Sequence, residues 1–344
     1  MTKFQLVEQL NKANVVVCTL CSSGNSFIKD LQFNLLIVDE ACQCSELTVL
    51  IPFCYNINQS VLIGDPKQLP PTIKNHKIEK CGYGVSLFER LQEGSPPNEV
   101  FLLDTQYRMH PSISKLSSNC FYDGKIKDGP NVKSSQWIKG WIKEDTSKFG
   151  PVIFYDIKGN ESNGRGSSFC NEKEADQVIN CIFELLQSYP NICFNKKISI
   201  ISPYSAQVNL IKKKLKESYI RTLENTLEYI KYTKDKVLKF YGNNIEMESD
   251  KGYLDLIKEV DLFDHINVST VDGFQGQEND IVIISTVRSD GKIGFLKDKR
   301  RLNVSISRSR YSLIIFGDSS TLKTNKDWRR IMTDILLMGC FKTV

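Results

Sequence analysis

Long apolar runs, a secretory signal and a regular cysteine framework are all missing from this sequence. No apolar run approaches the roughly 18 residues of a membrane-spanning helix, and Met1–Gln5 lacks the apolar core of a signal peptide. The 11 cysteines are an odd number at irregular spacings, which favours a reduced intracellular compartment. With 3 histidines, none of them near Cys18–Cys21 or Cys42–Cys44, a zinc site is not indicated.

What is present is an ordinary composition with one basic segment. The chain has 344 residues, of which 41% are hydrophobic and 25% are charged, so it is long enough for two domains. The net charge is +5, and Lys212–Lys239 alone holds nine Lys/Arg against four Asp/Glu. This segment is either a solvated helix face or a contact for phosphates, and the sequence leaves both open.

Short β-branched runs alternate with helical patterns along the chain. Each apolar run ends in a polar residue or a turn: Val15–Thr19, Leu35–Asp39, Ser60–Gly64, Val152–Asp156, Ile198–Ser202, Ile281–Thr286 and Ser312–Gly317. Helical spacing is found at Gly84–Leu91, Asn171–Gln187 and Ser205–Ser218. The alternation predicts an α/β fold with parallel strands, and ligands of such sheets lie at the carboxyl ends of the strands.

Segments rich in Gly, Pro and Ser indicate where the domains of the chain begin and end. Leu91–Val100 reads as a linker, which places a first domain at residues 1–95 and a second at 96–344. Asp123–Gly150 is irregular and rich in Gly, Lys and Ser. Tyr219–Asp264 is interpreted as an insertion in the second domain.

Two of the apolar strands deliver acids at their ends. Leu35–Ala41 ends with Asp39 and Glu40, the pair with which an NTPase holds Mg²⁺ and activates water. Val61–Pro71 ends in a Pro-punctuated loop that carries Gln68, a side chain able to sense a γ-phosphate. Taken singly, each also fits a plain surface turn.

Three further motifs follow in order. Leu103–Pro111 offers Tyr107 for base stacking and Arg108 for phosphate charge. Val268–Glu278 carries polar residues after a strand, and Arg300–Arg310 places four arginines around an amphipathic stretch. An arginine finger contributes about 10³–10⁵ to the rate of phosphoryl transfer.

Five motifs in this order resemble superfamily 1B helicases of the senataxin and nonsense-mediated-decay helicase group, and most of all the senataxin branch. The similarity runs from about Ala13 to about Arg330, outside the insertion. It implies two RecA-like parallel-sheet domains, the first incomplete at its N-terminus, with ATP and Mg²⁺ as cofactors bound between them. It also implies single-stranded RNA or DNA, including RNA–DNA hybrids, as the partner of a monomer.

The resemblance implies a role for each motif residue. Asp39 would hold Mg²⁺, Glu40 would activate water, and Gln68 would contact the γ-phosphate. The other residues implied at the nucleotide are Arg108 and Arg308 at the γ-phosphate, Tyr107 at adenine, Glu278 at the ribose, and Gln106, Gly64 and Asp65 nearby. Strand contacts would come from Thr19, Ser22 and Ser23 in the first domain, and from Pro203, Tyr204 and Thr270 in the second. Arg301 and Asn303 are weaker candidates for the interface between domains.

The chain departs from the family in one motif. It contains no G-x-x-x-x-G-K-[ST], because Gly124–Ile126 and Gly291–Ile293 lack the glycine spacing and the hydroxyl residue. We therefore expect a truncated first domain and negligible ATP hydrolysis by this polypeptide alone.

The helicase hypothesis has two alternatives. A non-catalytic nucleic-acid-binding or regulatory module would keep the motifs without turnover. A replication helicase-nuclease is disfavoured, because no iron–sulfur or nuclease region is recognisable. The resemblance suggests a nuclear location, and otherwise a cytoplasmic one, with no membrane partner.

Overall fold

The computed structural model describes residues 3–29, 31–96, 99–134, 137, 139, 142, 146–164, 166–189, 198–218, 266–274 and 276–344. The chain divides into two units, Met1–Leu103 (unit 1) and Asp104–Val344 (unit 2). The expected insertion Tyr219–Asp264 lies outside the described residues. Over the described ranges, no helix is both long and apolar enough to span a membrane.

Unit 1 is built from short elements. Its strands and α-helices are α1 (Lys3–Lys12), α2 (Leu20–Ser23), β1 (Leu35–Val38), α3 (Glu46–Leu50), β2 (Gln59–Leu62), α4 (His76–Ile78) and α5 (Leu87–Gly94). Tighter or wider helical turns lie at Ala41–Gln43, Ile51–Tyr55 and Glu79–Tyr83. The helix α5 begins at an N-cap in which Ser86 Oγ accepts from Glu89 N at 3.1 Å, and it runs to Gly94. The predicted linker therefore begins later than Leu91.

The two strands of unit 1 pair in parallel. Leu35 lies opposite Gln59 and Val38 opposite Leu62. One face, with Val38, packs on a small core that includes Ala41, Val49 and Leu87. The other face carries four exposed apolar side chains, which we call the bare stripe: Leu35, Ile37, Val61 and Ile63.

One predicted strand of unit 1 is wrong. Residues 15–19 form no ladder with any described strand, and Val15 and Val17 are 77% and 91% exposed. A β-branched run favours extended backbone, but a strand also needs a neighbour to which it can hydrogen-bond.

Unit 2 holds the larger sheet. Its strands are β3 (Thr105–Gln106), β4 (Lys127–Asp128), β5 (Val152–Asp156), β6 (Ser162–Asn163), β7 (Phe169–Cys170), β8 (Ile198–Ser202), β9 (Ile266–Thr270), β10 (Asn279–Ser285), β11 (Ser309–Gly317) and β12 (Phe341–Thr343). Its α-helices are α6 (Pro111–Phe121), α7 (Pro130–Lys133), α8 (Thr146–Phe149), α9 (Glu172–Ser188), α10 (residues 205–218), α11 (Lys299–Ile306), α12 (Ser319–Leu322) and α13 (Lys326–Leu337). Short 3₁₀ turns lie at Asp272–Phe274 and Gly294–Lys297.

Six of these strands form one parallel sheet in the order β12-β5-β11-β10-β8-β9. The central strands are buried along their length, and α9 packs its apolar side against this sheet. The predicted α/β class is confirmed. In this sheet β8 ends beside β9, with Ser202 opposite Thr270, so the polar residues after both strands share one edge.

Candidate functional site

In unit 1, the ends of β1 and β2 bring two acidic loops together. Ile63 N donates to Val38 O and Ala41 N donates to Ile63 O, both at 2.8 Å, so the pairing continues past the strands. Asp39 therefore follows β1 beside the loop that carries Asp65. Both acids lie at the carboxyl edge, where a parallel sheet presents its ligand contacts.

The backbone at Glu40 takes an uncommon conformation. Its φ is 53°, in the left-handed region, and its N–H donates to Asp39 Oδ1 at 3.0 Å. Gln43 Nε2 donates to Glu40 Oε2 at 2.6 Å. The exposed carboxylate is thus oriented by a neighbouring amide on the turn that follows it.

Gly64 is required by close packing. A Cβ at this position would lie 2.8 Å from Cys42 Sγ and 3.0 Å from Cys42 N. Burial, with a contribution from the nearby Asp65 carboxylate, raises the pKa of the Cys42 thiol to about 12. Cys42 is therefore a buried thiol that packs the Asp39 turn against the Asp65 loop.

Asp65 organises its own loop. Its Oδ1 accepts from Lys67 N at 2.9 Å, and its Oδ2 accepts from Gln68 Nε2 at 2.8 Å. Gln68 is thereby held at the carboxyl edge in one orientation. Its contact with a γ-phosphate stays a prediction.

The predicted strand contacts of unit 1 sit at the short helix α2. Thr19 Oγ1 caps the helix by accepting from Ser22 N at 3.2 Å, and both side chains are exposed. Ser23 is buried and its Oγ donates to Leu20 O at 2.5 Å. Thr19 and Ser22 are open to a ligand in this conformation, whereas Ser23 is not.

In unit 2, the loop before α6 is shaped by Gln106. Its Nε2 donates to Met109 O at 2.9 Å and to Asp128 Oδ1 at 2.7 Å. Its Oε1 accepts from the backbone N–H groups of Arg108 and Met109 at 2.9 and 2.7 Å. The amide is thus occupied within the loop, so its geometry favours a positioning role over the predicted nucleotide contact.

Tyr107 is presented to solvent on this loop. The residue is 60% exposed, and its ring lies against Gly129, where a Cβ would come within 2.4 Å of the ring. Asn131 Nδ2 donates to Tyr107 O at 2.9 Å. Glycine at position 129 thus lets the chain pass beneath the ring, which leaves one face able to stack.

The end of the same loop is tied to β11. His110 N donates to Arg310 O at 2.7 Å, and its Nδ1 accepts from Ser112 N at 3.2 Å as the N-cap of α6. Burial lowers the pKa of His110, which favours the neutral ring that this acceptor role needs.

Glu278 gathers two arginines at the start of β10. Arg108 Nε pairs with Glu278 Oε2, and Arg310 Nε lies 3.9 Å from Glu278 Oε1. Arg310 also lies 3.7 Å from Asp280 and above the ring of Trp137, at 5.2 Å from its centroid. Two predicted site residues, Arg108 and Glu278, therefore lie together with Arg310. The sequence analysis gave Arg310 no role of its own, although its position two residues after Arg308 could have marked it as a candidate.

Arg308 lies close by but inside the unit. It is 4% exposed, and its Nη1 donates to Gln277 O at 3.5 Å. Its own carbonyl accepts from Asn279 N at 3.0 Å, which joins it to the start of β10. The predicted contact between Arg308 and a γ-phosphate needs this side chain to become exposed, and it stays a prediction.

The predicted strand contacts of unit 2 divide by exposure. Thr270 is half-buried, and its Oγ1 accepts from Gly273 N at 3.2 Å. Pro203 is also half-buried. Tyr204 is only 2% exposed, so its ring is not open to a base in this conformation. Its hydroxyl accepts from Arg288 Nη1 and Phe295 N, each at 3.3 Å.

Arg301 and Asn303 are both used within unit 2. Arg301 Nε donates to Asp272 Oδ1 at 3.0 Å, and its Nη1 donates to Asp298 Oδ2 at 2.7 Å. Asn303 is fully buried and donates to Tyr122 Oη at 2.8 Å. Asn303 therefore contributes to the packing of unit 2, and its place at an interface between domains stays a prediction.

The carboxylate of Asp39 is a suitable ligand for a magnesium ion that is also bound by the phosphates of a substrate. Among the described residues, no group of three or more His, Cys, Asp or Glu side chains could hold a metal by itself. Magnesium usually keeps several waters and is held by one or two carboxylates together with substrate phosphates. An exposed Asp39 at a strand end meets that requirement, with Asp65 nearby.

Comparison with protein families shows to which family the chain belongs. Two family models match the chain, both described as an AAA domain, one over residues 83–320 and one over residues 2–76. The chain belongs to the AAA-domain family. The match over residues 83–320 spans the loop of Tyr107, five of the six strands of the large sheet of unit 2, and Arg308.

Curated relatives of this AAA-domain chain carry helicase names. It is 35% identical to "Helicase sen1" of Schizosaccharomyces pombe over 95% of the chain and 17% of the relative. It is 36% identical to "Probable helicase MAGATAMA 3" of Arabidopsis thaliana over 94% of the chain and 35% of the relative. It is 30% identical to "Probable helicase senataxin" of Homo sapiens over 95% of the chain and 11% of the relative. The resemblance to the senataxin group is confirmed, and the AAA-domain chain spans only a fraction of each relative.

Proposed function

We propose that this chain is the motor portion of an ATP-dependent RNA/DNA helicase or single-strand translocase of the senataxin type. The observation that carries the proposal is the order of five motifs, with their polar residues at strand ends, inside a region similar to named helicases. The chain spans 17% of the first of those relatives, so the activity is a proposal for this part alone.

The roles proposed for unit 1 are metal and water chemistry. Asp39 would hold Mg²⁺ bound to ATP, and the oriented Glu40 carboxylate would accept a proton from water. Gln68, held by Asp65, would sense the terminal phosphate. ATP itself supplies the free energy for movement along a strand.

The roles proposed for unit 2 are charge stabilisation and nucleotide recognition. Arg108 and Arg308 would neutralise phosphate charge, and Tyr107 would stack on adenine. Glu278 would accept from the ribose hydroxyls, which requires exchange of its present arginine pairs. Those pairs are about 40% exposed, and such pairs are worth only about 0–1 kcal/mol, so the exchange is cheap.

Single-stranded RNA or DNA is the proposed partner, with RNA–DNA hybrids as a further substrate. Thr19 and Ser22 in unit 1, and Pro203 and Thr270 in unit 2, are accessible polar or backbone positions for it. Backbone contacts of this kind tolerate any base, which suits a translocase better than sequence readout does. A monomer and a nuclear location are proposed on resemblance alone.

The decisive assay is ATP turnover by this chain with saturating single-stranded RNA. The 344 residues contain no G-x-x-x-x-G-K-[ST], the loop whose lysine and N–H groups cradle the β- and γ-phosphates. We expect turnover far below about 1 s⁻¹, and a rate at or above that value would contradict the expectation. Glu40→Gln is the matched variant: any turnover by the parent chain should be lost in it, and turnover at the parent rate would contradict the role proposed for Glu40.

A second candidate is a non-catalytic nucleic-acid-binding module derived from such a helicase. The observation that favours it is the burial of Arg308, the side chain proposed to reach the γ-phosphate. Binding of labelled single-stranded RNA without turnover, even in a chain extended by its in-frame upstream sequence, would support the module. Turnover in that extended chain that Glu40→Gln abolishes would support the helicase.

A further inference from the structure

The chain makes an unusual turn where β10 ends. Val287 has a φ of 73° although it is β-branched and fully buried, and Arg288 N donates to Thr286 O at 2.8 Å. A positive central φ with a bond between residues two apart marks the rarer and more strained form of the γ-turn. Strained backbone of this kind persists only when its surroundings hold it, and it concentrates at functional sites.

Two side chains from the start of α9 hold this turn. Glu174 Oε2 accepts from Val287 N at 2.9 Å and from Ser285 Oγ at 2.7 Å. Asn171 Nδ2 donates to Val287 O at 3.2 Å. The N–H and the C=O of the strained residue are therefore both bound. Glu174 is fully buried and Asn171 is 1% exposed, so water does not compete for these bonds.

A third buried side chain joins the network from α10. Gln207 Nε2 donates to Ser285 Oγ at 2.9 Å and to Asn171 O at 3.1 Å. Its Oε1 accepts from Asn171 N at 2.8 Å. Since α10 directly follows Pro203 and Tyr204, the network connects the end of β10 to the end of β8.

The turn also directs the next side chain. Arg288 runs inward, with Nε 2.7 Å from Glu161 Oε2 and its guanidinium 4.3 Å from the centre of the Phe169 ring. Its Nη1 donates to the hydroxyl of Tyr204 at 3.3 Å. Gly294 lies so close that a Cβ there would be 2.5 Å from Arg288 Nη1 and 2.7 Å from Tyr204 Oη. The turn at Val287 determines where the Arg288 side chain lies. The positions of Tyr204 and of the preceding Pro203 therefore depend on this turn.

We propose that Glu174 is a positioning residue for strand binding: through the Val287 turn and Arg288, it fixes the edge that carries Pro203 and Thr270. The inference rests on the proposed function, because it deepens the assignment of that edge to a single strand. Thr270 belongs to the edge because it lies opposite Ser202, the residue that precedes Pro203.

The protonation of Glu174 agrees with this role. Burial raises the pKa of its carboxyl to about 8, against weaker lowering by its hydrogen bonds to Ser285 and to backbone N–H groups. Near neutral pH the group is therefore largely uncharged and still accepts from Val287 N. A glutamine has the same shape and the same acceptor, so Glu174→Gln is the conservative variant.

The test measures affinity for a fluorescein-labelled single-stranded RNA by anisotropy, at one fixed salt concentration and with every variant folded. Glu174→Ala and Asn171→Ala should weaken binding roughly tenfold, while Glu174→Gln stays within about twofold of the parent. Ile182→Ala is the matched control on α9. It opens a cavity in the core away from the turn and should leave affinity within about twofold.

Hydrogen exchange followed by mass spectrometry reads the turn directly. A peptide covering Ser285–Ser289 should exchange faster in Glu174→Ala, but at the parent rate in Glu174→Gln and Ile182→Ala. If Glu174→Ala does not fold, Asn171→Ala supplies both measurements.

Each result decides something. A folded Glu174→Ala that binds RNA as tightly as the parent overturns the inference, as does an equal loss in Ile182→Ala. If the parent chain binds no single strand, the proposed function fails. The exchange result then still shows whether Glu174 holds the turn.

Discussion

Replacing Glu174 by glutamine should change how the stability of unit 2 depends on pH. The carboxyl has a pKa of 4.5 when exposed and about 8 when buried in the fold. Between these values the folded chain keeps a proton that the unfolded chain has lost. Its contribution to stability is therefore complete below about pH 4.5, and it is lost as the pH rises through about 8.

The size of the effect follows from the same two values. Each pH unit inside that window costs up to about 1.4 kcal/mol of unfolding free energy, so a rise of about two units costs about 3 kcal/mol. Glutamine cannot ionise, so this slope should be absent from Glu174→Gln. Urea unfolding followed by tryptophan fluorescence measures it, because all 3 tryptophans, Trp137, Trp141 and Trp328, belong to unit 2.

The matched control is Glu172→Gln, an exposed position two residues earlier on α9. It should keep the pH dependence of the parent. Parallel curves for the parent and Glu174→Gln between about pH 5 and about pH 7 would refute the reasoning, because the buried carboxyl would then not be retaining its proton.

Two smaller perturbations test the packing. Gly64→Ala should destabilise unit 1 by about 1–3 kcal/mol, because the added Cβ would clash with Cys42. Gly94→Ala is the control and should not destabilise unit 1, because the space around Gly94 is open. Urea unfolding followed by circular dichroism compares the two variants. Asp298→Ala removes the N-cap of α11 and a bond to Arg301, and should cost about 1 kcal/mol by tryptophan fluorescence. An unchanged unfolding midpoint in Gly64→Ala or in Asp298→Ala would contradict the contacts assigned to that residue.

The sheet of unit 2 was the part of the fold most open to prediction. Val152–Asp156 and Ile198–Ser202 were predicted at their observed bounds, because strands buried on both faces read as continuous apolar runs. Val15–Thr19 has the same local character but no partner strand among the described residues. Pairing depends on distant residues, which a local pattern does not contain.

The candidate site was predictable where chemistry follows directly from a strand. Asp39 and Asp65 come after apolar runs, and parallel pairing alone places them at one edge. The burial of Tyr204 was not predictable, since it depends on Arg288, more than eighty residues away in the chain.

Glu174 was also missed, although a local signal existed. It lies at helical spacing from Val178, Cys181 and Leu185, which are all buried on the apolar side of α9. An acid on that stripe is a buried polar group in need of partners, and such partners become visible only in the fold.

The bare stripe on the small sheet of unit 1 bears on how this chain behaves at high concentration. Leu35, Ile37, Val61 and Ile63 are each between 41% and 59% exposed on one face of two parallel strands. Parallel sheets normally have both faces covered, and contiguous exposed apolar surface promotes self-association. The sedimentation coefficient should therefore rise with protein concentration, and the expected monomer would hold only in dilute solution.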